Sequence, residues 1–452
     1  MEDEFETMPR HRPQRMLPHG MFHDLFVDRP SAINAEEERQ KIDPDEIKTT
    51  LAYTPTSTFQ DGDVKALLIG INYTGTEYAL SGCVNDIHTM LDTLRKIDFP
   101  ITESCILVDD ETFPSVTAAP TRESIIKHIS WLVKDAKPGD VLFFHYSGHG
   151  AQTKAISDKD EEYDQCIIPV DYQTTGCILD DDLFKMLVEP LPAGVRLTCV
   201  FDCCHSASML DLPFAFVGSQ GVTNDGATAH RMRKVRDGNF SKGDVVMFSG
   251  CEDDQTSADV QNTASFGDGE TGAGGAATEA FTWALTNTTG LDYLNLLLKT
   301  RDVLKDKGFT QVPQLTSSKP LDLDKPFSLF GTVTANEEQL HEHVPEEFRR
   351  PPPPPHGPRH ARPRGFGHGP MTAFRRGPAY EPPAQQQQQQ QQQQPMDGWG
   401  PQTAYGGDAV ADMGLAAPPV METADGYEGD VEEGRHRHHH HQHQQQVQSA
   451  DV

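Results

Sequence analysis

A mainly parallel α/β sheet with helices on both faces is the fold class that this sequence predicts for its middle section. Continuous apolar runs of strand length recur there without the polar alternation of a half-solvated sheet. Amphipathic stretches with helical spacing separate those runs, as crossover connections between parallel strands require. Both patterns are confined to about residues 63–334, outside which the composition changes.

Lys65–Ile71 (KALLIGI) reads as the first buried strand. Ser81–Ile97 follows as a helix with Val84, Ile87, Leu91 and Leu94 on one face. Cys105–Val108 is strand-like, and Thr121 caps a helix striped by Ile125, Ile126, Ile129, Leu132 and Val133. Asp140–Tyr146 (DVLFFHY) and Gln165–Val170 are the next strands, before a short helix from about Asp181 to Val188. Val195–Phe201 (VRLTCVF) and Asp244–Ser249 (DVVMFS) complete the strand series. Helices return near Thr278–Leu285 and Leu291–Lys307, and Phe327–Phe330 is a candidate final strand. The Gly-, Ser- and Asp-rich stretches at about 208–243 and 261–277 read as long loops.

The chain has 452 residues, with 38 Lys+Arg against 68 Asp+Glu and a formal net charge of −30. That balance argues against a sequence-independent nucleic-acid binder, which needs a basic surface to displace counterions. Hydrophobic residues make up 36%, below the roughly 45–50% (counted with Gly) of an ordinary globular chain. With 33 Pro and 37 Gly, this points to one folded domain diluted by disordered sequence. No run approaches the roughly 18 apolar residues of a membrane helix. The acidic start, Met1–Glu6, is unlike a basic and then apolar signal peptide. Eight cysteines are too sparse for a disulfide scaffold. A cytoplasmic, thiol-reduced protein with no membrane or nucleic-acid partner is expected.

Three zones follow. Residues 1–62 are expected to form a mostly disordered arm, with a short docking segment around Met21–Phe26. Residues 63–334, about 270 positions, suffice for one large domain. Residues 335–452 are low in complexity: Pro351–Pro355, an Arg/Gly/Pro/His stretch over Arg359–Arg376, ten glutamines at Gln385–Gln394, and six histidines within Arg435–His443. Such composition buries too little apolar surface to offset its ordering entropy, and Gln-rich tracts aggregate through side-chain amide ladders.

Sites in open parallel sheets form at the carboxyl ends of strands. Asp140–Tyr146 runs into Ser147-Gly148-His149-Gly150, and Val195–Phe201 runs into Asp202-Cys203-Cys204-His205-Ser206. Glycines on both sides of His149 permit a tight turn that lifts the imidazole above the sheet edge. If the two strands are neighbours, a thiol at the second end faces His149, the arrangement for nucleophilic catalysis. A packed core cysteine and a loop histidine are the bland alternative. Alternation sends Cys203 and Cys204 to opposite faces, so at most one addresses His149, and the residues alone do not say which.

Together these two motifs resemble the metacaspases, caspase-like cysteine proteases of plants, fungi and protists. The likeness extends through Lys65–Tyr73 (KALLIGINY), Leu80–Asp86 (LSGCVND), Tyr163–Asp171 (YDQCIIPVD) and Ser249–Asp259 (SGCEDDQTSAD). It covers most of residues 63–334 and neither flank. It implies a caspase-like three-layer sandwich, with a large-subunit-like part over 63–210, a processing loop over 211–243 and a small-subunit-like part over 244–334.

The resemblance also implies a cysteine endopeptidase with protein substrates, monomeric, and linked to programmed cell death or the clearing of aggregated protein. The family's reactive cysteine immediately precedes the histidine, which selects Cys204, and His149 matches the general base. The oxyanion would be held by backbone N–H groups of Gly150 and Cys204. Cys203 stands where the family often has Ser, and Ala207 where it usually has Gly. Neither change removes a catalytic group, and Cys203 adds a second thiol as a redox partner for Cys204.

Carboxylates beside the catalytic pair would accept a Lys or Arg side chain and repel an acidic one. Asp86 and Asp202 sit at or near the same sheet edge, and the family's primary pocket matches Cys83, Asp86, Ser147 and Asp202. That implies cleavage after Arg or Lys, whereas an aspartate-accepting caspase pocket needs arginines. An early-helix carboxylate favoured by the helix dipole is the alternative for Asp86.

A second acidic set comprises Asp158, Asp160, Glu161, Glu162 and Asp164, then Asp180, Asp181 and Asp182. Clustered carboxylates suit a hard cation, though the spacing is not that of an EF-hand. The resemblance implies Ca²⁺ at Asp164, Asp180 and Asp181. Arg231, Arg233, Lys234, Arg236 and Lys242 form a basic segment that an enzyme cutting after basic residues could process in itself. In type I metacaspases a Pro/Gln-rich segment precedes the protease domain, whereas here it follows. A non-proteolytic role through this tail, joining protein aggregates, is the alternative function, and transition-metal binding by His436–His443 ranks below it.

Overall fold

The apolar runs become a central sheet because each is buried on both faces. The computed structural model describes residues 32–56, 62–154, 163–216, 231–251, 259–260 and 274–349, all within the first of two units, Met1–Pro363. The second unit, Arg364–Val452, lies outside the described residues. In chain order the first strands are β1 (Val64–Gly70), β2 (Glu103–Val108), β3 (Val141–Ser147), β4 (Gly150–Lys154), β5 (Tyr163–Ile167), β6 (Ile178–Leu179) and β7 (Arg196–Asp202). They are followed by β8 (Phe214–Ala215), β9 (Arg233–Lys234), β10 (Asp244–Ser249), β11 (Asp259–Val260), β12 (Gly274–Gly275) and β13 (Gln314–Ser317).

Eight of these make one sheet in the order β2-β1-β3-β7-β10-β13-β8-β9. The five strands β2, β1, β3, β7 and β10 are parallel, and β13, β8 and β9 continue antiparallel. Register brings the strand ends level: Gly70 pairs Ser147, Ser147 pairs Asp202, and Phe201 pairs Ser249.

Helices cover both faces. They are α1 (Ala35–Lys41), α2 (Cys83–Lys96), α3 (Arg122–Val133), α4 (Tyr172–Thr175), α5 (Asp180–Leu183), α6 (Ala276–Asn287), α7 (Tyr293–Asp306) and α8 (Glu337–His343). The pleat of β1 sorts its side chains between two cores. Ala66 and Leu68 belong to a core with Ile87, Met90 and Leu94 of α2 and Leu294 and Leu297 of α7. Leu67 and Ile69 join the opposite core, with Ile125, Ile129 and Leu132 of α3. Thr121 caps α3 as expected, its side chain accepting the Ser124 N–H. The fold is a three-layer sandwich, the sheet lying between two layers of helices.

Several expectations need correction. The strand at Gln165–Val170 is instead Tyr163–Ile167, and it leaves the main sheet to form a small antiparallel one with β4 and β6. Pro169 follows it and cannot donate to a ladder. Phe327–Phe330 is not a strand. The last strand is the more polar Gln314–Ser317, while Phe327 packs on Phe248 and Tyr293, and Phe330 on Phe99.

The inner part of the arm expected over 1–62 is folded: α1 follows an Asn34 cap, and Ala35, Ile42 and Ile47 are buried in the core beside α3. Likewise α8 lies past residue 334, with Leu340 and Val344 buried. The stretch at 208–243 contains two short strands, β8 and the edge strand β9. The segment around Met21–Phe26 and the Pro, Gln and His tracts lie outside the described residues. Among the described residues, no helix is long and apolar enough to cross a membrane.

Candidate active site

His149 and Cys204 each stand two residues beyond the Ser147–Asp202 pair that ends β3 and β7. Parallel register therefore delivers both to one edge of the sheet. The glycines around His149 serve a different purpose from the one expected. Neither has a left-handed backbone, and each lies where a side chain would collide. A Cβ on Gly148 would fall 2.8 Å from the Tyr146 hydroxyl, and one on Gly150 would fall 2.1 Å from the Cys204 carbonyl oxygen.

Three tyrosines hold His149. Its N–H donates to the Tyr73 hydroxyl at 3.0 Å, and its carbonyl accepts the Tyr146 hydroxyl at 2.8 Å. Tyr73 donates onward to the Ile168 carbonyl at 2.6 Å, and its ring lies 4.6 Å from the imidazole. The His149 Nε2 is 2.7 Å from the Tyr78 carbonyl oxygen, which can only accept, so Nε2 carries the proton and Nδ1 is the basic nitrogen. Burial lowers the imidazole's pKa, opposed by the bond to Tyr78. His149 is accordingly a neutral base inside the edge of the fold and not a histidine raised above it.

Of the eight cysteines, all free thiols, Cys204 alone is partly exposed. Cys203 belongs to the core with Tyr73, Tyr146 and Cys166, and burial pushes its thiol pKa well up. Of the two thiols that alternation left open, Cys204 is the accessible one. Past it, His205 adopts φ +56°, a left-handed conformation that costs a non-glycine residue energy and that the surroundings must enforce. Cys251, on the neighbouring strand end, donates its thiol to the Cys203 carbonyl at 3.2 Å.

Three of the four residues expected to line a pocket meet through the end of β3, the end of β7 and the start of α2. Cys83 opens α2, Asp86 lies on its first turn, and Ser147 and Asp202 end β3 and β7. The Ser147 hydroxyl donates to Asp86 Oδ2, and the Gly275 N–H donates to Asp86 Oδ1 at 2.7 Å. The Thr278 N–H donates to Asp202 Oδ2 at 2.7 Å. Burial first, and then the Asp202 charge, raises the Asp86 carboxyl well above the ordinary carboxylate range. Asp86 is fully buried and also lies in the first turn of α2, where the helix dipole favours a carboxylate.

The acidic set divides. Asp164 lies on β5, and Asp180 opens α5 with its carboxylate accepting the N–H groups of Gln165 (2.6 Å) and Asp181 (2.8 Å). Burial, then Asp211, and more weakly Asp164, raise the Asp180 carboxyl. Asp181 is half exposed, 3.8 Å from Lys185. Asp211 is a member that sequence reasoning missed, because it lies far along the chain without acidic neighbours. Among the described residues, no three acidic, thiol or imidazole groups already stand in a metal-holding arrangement. Asp158, Asp160, Glu161 and Glu162 lie outside the described residues.

A family model described as metacaspase, peptidase C14 domain, matches residues 64–213. Metacaspase-5 of Trypanosoma cruzi (strain CL Brener) is 58% identical over 325 residues, which cover 72% of this chain and 72% of that protein. The chain belongs to the metacaspase family. It is a caspase-like, cysteine-type endopeptidase acting on protein substrates. Metacaspase-2 of Trypanosoma brucei brucei (strain 927/4 GUTat10.1) is 61% identical over 266 residues, 59% of this chain and 76% of that one. Among solved structures, caspase-1 from Spodoptera frugiperda is 13% identical at a TM-score of 0.31, covering 59% of this chain and 94% of that chain, a likeness too slight to carry argument.

In this metacaspase the basic segment is fastened to the domain. Arg231 pairs with Glu338 at 2.7 Å and Arg236 with buried Asp211 at 2.6 Å, while Lys234 pairs within the segment, with Asp237 at 2.5 Å. Arg233 and Lys234 form the edge strand β9 and are exposed, as is Lys242. Little in the residue pattern marks Tyr73, Tyr78 and Tyr146 as supports of His149, although Tyr73 closes the KALLIGINY segment. Gly275 lies at the end of the stretch expected as a loop, and Thr278 at the start of the helix expected over Thr278–Leu285.

Proposed function

We propose that this metacaspase cleaves peptide bonds after Arg or Lys, with Cys204 as nucleophile and His149 as general base, and that Ca²⁺ activates it. The observation that carries the reading is the solvent access of Cys204, alone among eight thiols, at the same offset past the β3–β7 pair as His149.

His149 Nδ1 takes the thiol proton as Sγ attacks the scissile carbonyl carbon. Charge develops on the carbonyl oxygen, where N–H groups of Gly150 and Cys204 receive it. Collapse of the tetrahedral species expels the amine, which takes the proton back from His149. Water, deprotonated by the same imidazole, then releases the acid and restores the thiol. A cationic side chain on the substrate lies against Asp86 and Asp202 and relieves the repulsion that raises the Asp86 carboxyl.

The donor chemistry of the acidic cluster fits a hard cation, since Asp180 is buried with the charges of Asp211 and Asp164 opposing its ionisation. Asp164, Asp180 and Asp181 would hold the ion, with Asp211 beside them, and it would supply the charge that lets them ionise together. Self-cleavage falls at the exposed members of the basic segment, Arg233, Lys234 or Lys242. The enzyme acts as a monomer in the cytoplasm, in programmed cell death or stress proteostasis.

The test is cleavage of paired fluorogenic peptides ending in Arg or Asp, with millimolar calcium or with chelator. Cleavage after Arg alone, lost with chelator and with Cys204→Ala, is the expected result. Robust cleavage by Cys204→Ala overturns the nucleophile, and cleavage after Asp overturns the pocket.

A further inference from the structure

The amino end of α6 forms a wall of the acidic pocket. Its Gly275 and Thr278 N–H groups reach Asp86 and Asp202, so one helix end touches both acids. A Cβ on Gly275 would fall 2.3 Å from Asp202 Oδ2 and 2.7 Å from Asp86 Oδ2. The φ of Gly275 is −77°, open to any residue, so the glycine is there for the space it leaves and not for its backbone. That space lies between two carboxylates.

One polar group on this wall is unaccounted for. Thr278 is fully buried, and its hydroxyl has no hydrogen-bond partner among the described residues. Such a group costs stability unless something arrives to bond it. The hydroxyl is three covalent bonds from the nitrogen that donates to Asp202, so it belongs to the same helix turn that meets that carboxylate. Thr282 shows the contrast: four residues on in the same helix, its hydroxyl donates to the Thr278 carbonyl at 2.8 Å. A second threonine of α6 thus has a structural partner for its hydroxyl, and the Thr278 hydroxyl has none among the described residues.

We propose that the Thr278 hydroxyl is a specificity-determining acceptor that selects Arg over Lys in this pocket. The inference rests on the reading of Asp86 and Asp202 as the acids that receive the substrate cation. A guanidinium presents five N–H donors in a rigid planar fork, and the Ser147 hydroxyl and the Gly275 and Thr278 N–H groups already take up acceptor positions on the two carboxylates. The hydroxyl adds two lone pairs at the Asp202 side. An ammonium has three donors on one compact nitrogen and is satisfied by the carboxylates and water.

The experiment compares Thr278→Val, Thr278→Ser and the unmodified full chain on two peptides that differ only in Arg or Lys at the cleavage site. Thr278→Val keeps the shape and removes the hydroxyl. It lowers kcat/KM for the Arg peptide about tenfold, the worth of one hydrogen bond to a charged group, and leaves the Lys peptide within about twofold. Thr278→Ser restores the Arg preference. The melting temperature of Thr278→Val stays level or rises, because a buried unpaired hydroxyl has been removed, whereas loss of a structural hydrogen bond would lower it. An unchanged Arg-to-Lys ratio in Thr278→Val, or equal loss on both peptides, overturns the role of Thr278 and leaves the pocket acids standing. Failure of the unmodified enzyme to cleave after either residue overturns the pocket reading, and this inference with it.

Discussion

Tyr73→Phe isolates what holds the base in place. The hydroxyl accepts the His149 N–H at 3.0 Å and donates to the Ile168 carbonyl at 2.6 Å. In the variant the Ile168 carbonyl keeps only a share of the Tyr146 hydroxyl proton, at 3.3 Å against 2.8 Å to the His149 carbonyl. The His149 N–H loses this partner in a buried site, at a cost of about 2 kcal/mol. For a domain of this size that lowers Tm by roughly 4–8 °C. Tyr73 does not touch the pocket acids, so KM for an Arg peptide holds while kcat falls roughly 10–100-fold through misplacement of the imidazole. The acid limb of kcat/KM supplies a second readout. Burial holds the His149 pKa below the ordinary 6.5, so the neutral base persists into mild acid. Loosening the ring admits water and moves that limb up toward 6.5. Steady-state kinetics across pH and a thermal melt read all three effects. A Tyr73→Phe enzyme with unaltered kcat and acid limb would refute the positioning argument.

Iodoacetamide should add one carbamidomethyl group to the native protein, at Cys204, and modify all eight thiols in denaturant; mass spectrometry that finds several in the native protein contradicts the burial pattern. Lys319→Met strands Asp244, its 2.6 Å partner in a fully buried pair, and should cost about 3–5 kcal/mol in a denaturant titration. Adding Asp244→Asn should recover much of that loss. His145 is buried, with Nδ1 donating to the Val200 carbonyl at 3.1 Å and its pKa lowered from 6.5 to about 4 by burial. The unfolded chain therefore takes up a proton below 6.5 that the folded chain refuses until about 4. Stability falls across that window by about 3 kcal/mol and no further below it. His145→Asn should remove that part of the acid sensitivity, seen as a smaller change in urea midpoint between neutral pH and pH near 4.

The parallel core was legible because its strands are buried on both faces and so write themselves as unbroken apolar runs. Lys65–Ile71, Asp140–Tyr146, Val195–Phe201 and Asp244–Ser249 all appear within one residue of their predicted ends. The antiparallel additions were not legible. Gln314–Ser317 is nearly all polar, and Phe214–Ala215 and Arg233–Lys234 are two-residue strands whose pairing depends on distant partners. Among the site residues, His149, Cys204, Asp86 and Asp202 are marked by residue type at strand or helix ends. The contributions of Tyr78 and Gly275 run through a carbonyl and an N–H, groups every residue has, so side-chain identity could not announce them.

The topology limits what self-cleavage in the basic segment can achieve. A cut at Arg233, Lys234 or Lys242 falls between β7, which carries Cys204 at its end, and α6, which walls the pocket. The two sides remain bound through β10, paired with β7 at six register positions from Asp244–Arg196 to Ser249–Phe201. Both strands are buried along their whole length, and β13 closes on the far side of β10. Nothing in that arrangement depends on the integrity of the β9 edge, which pairs only Phe214 and Ala215. Cleavage would instead sever the covalent tie between Arg236 and one flank, and Arg236 is the cation seated on Asp211 beside the acidic cluster. The effect of processing should therefore register in the charge around Asp180 and not as the release of a subunit.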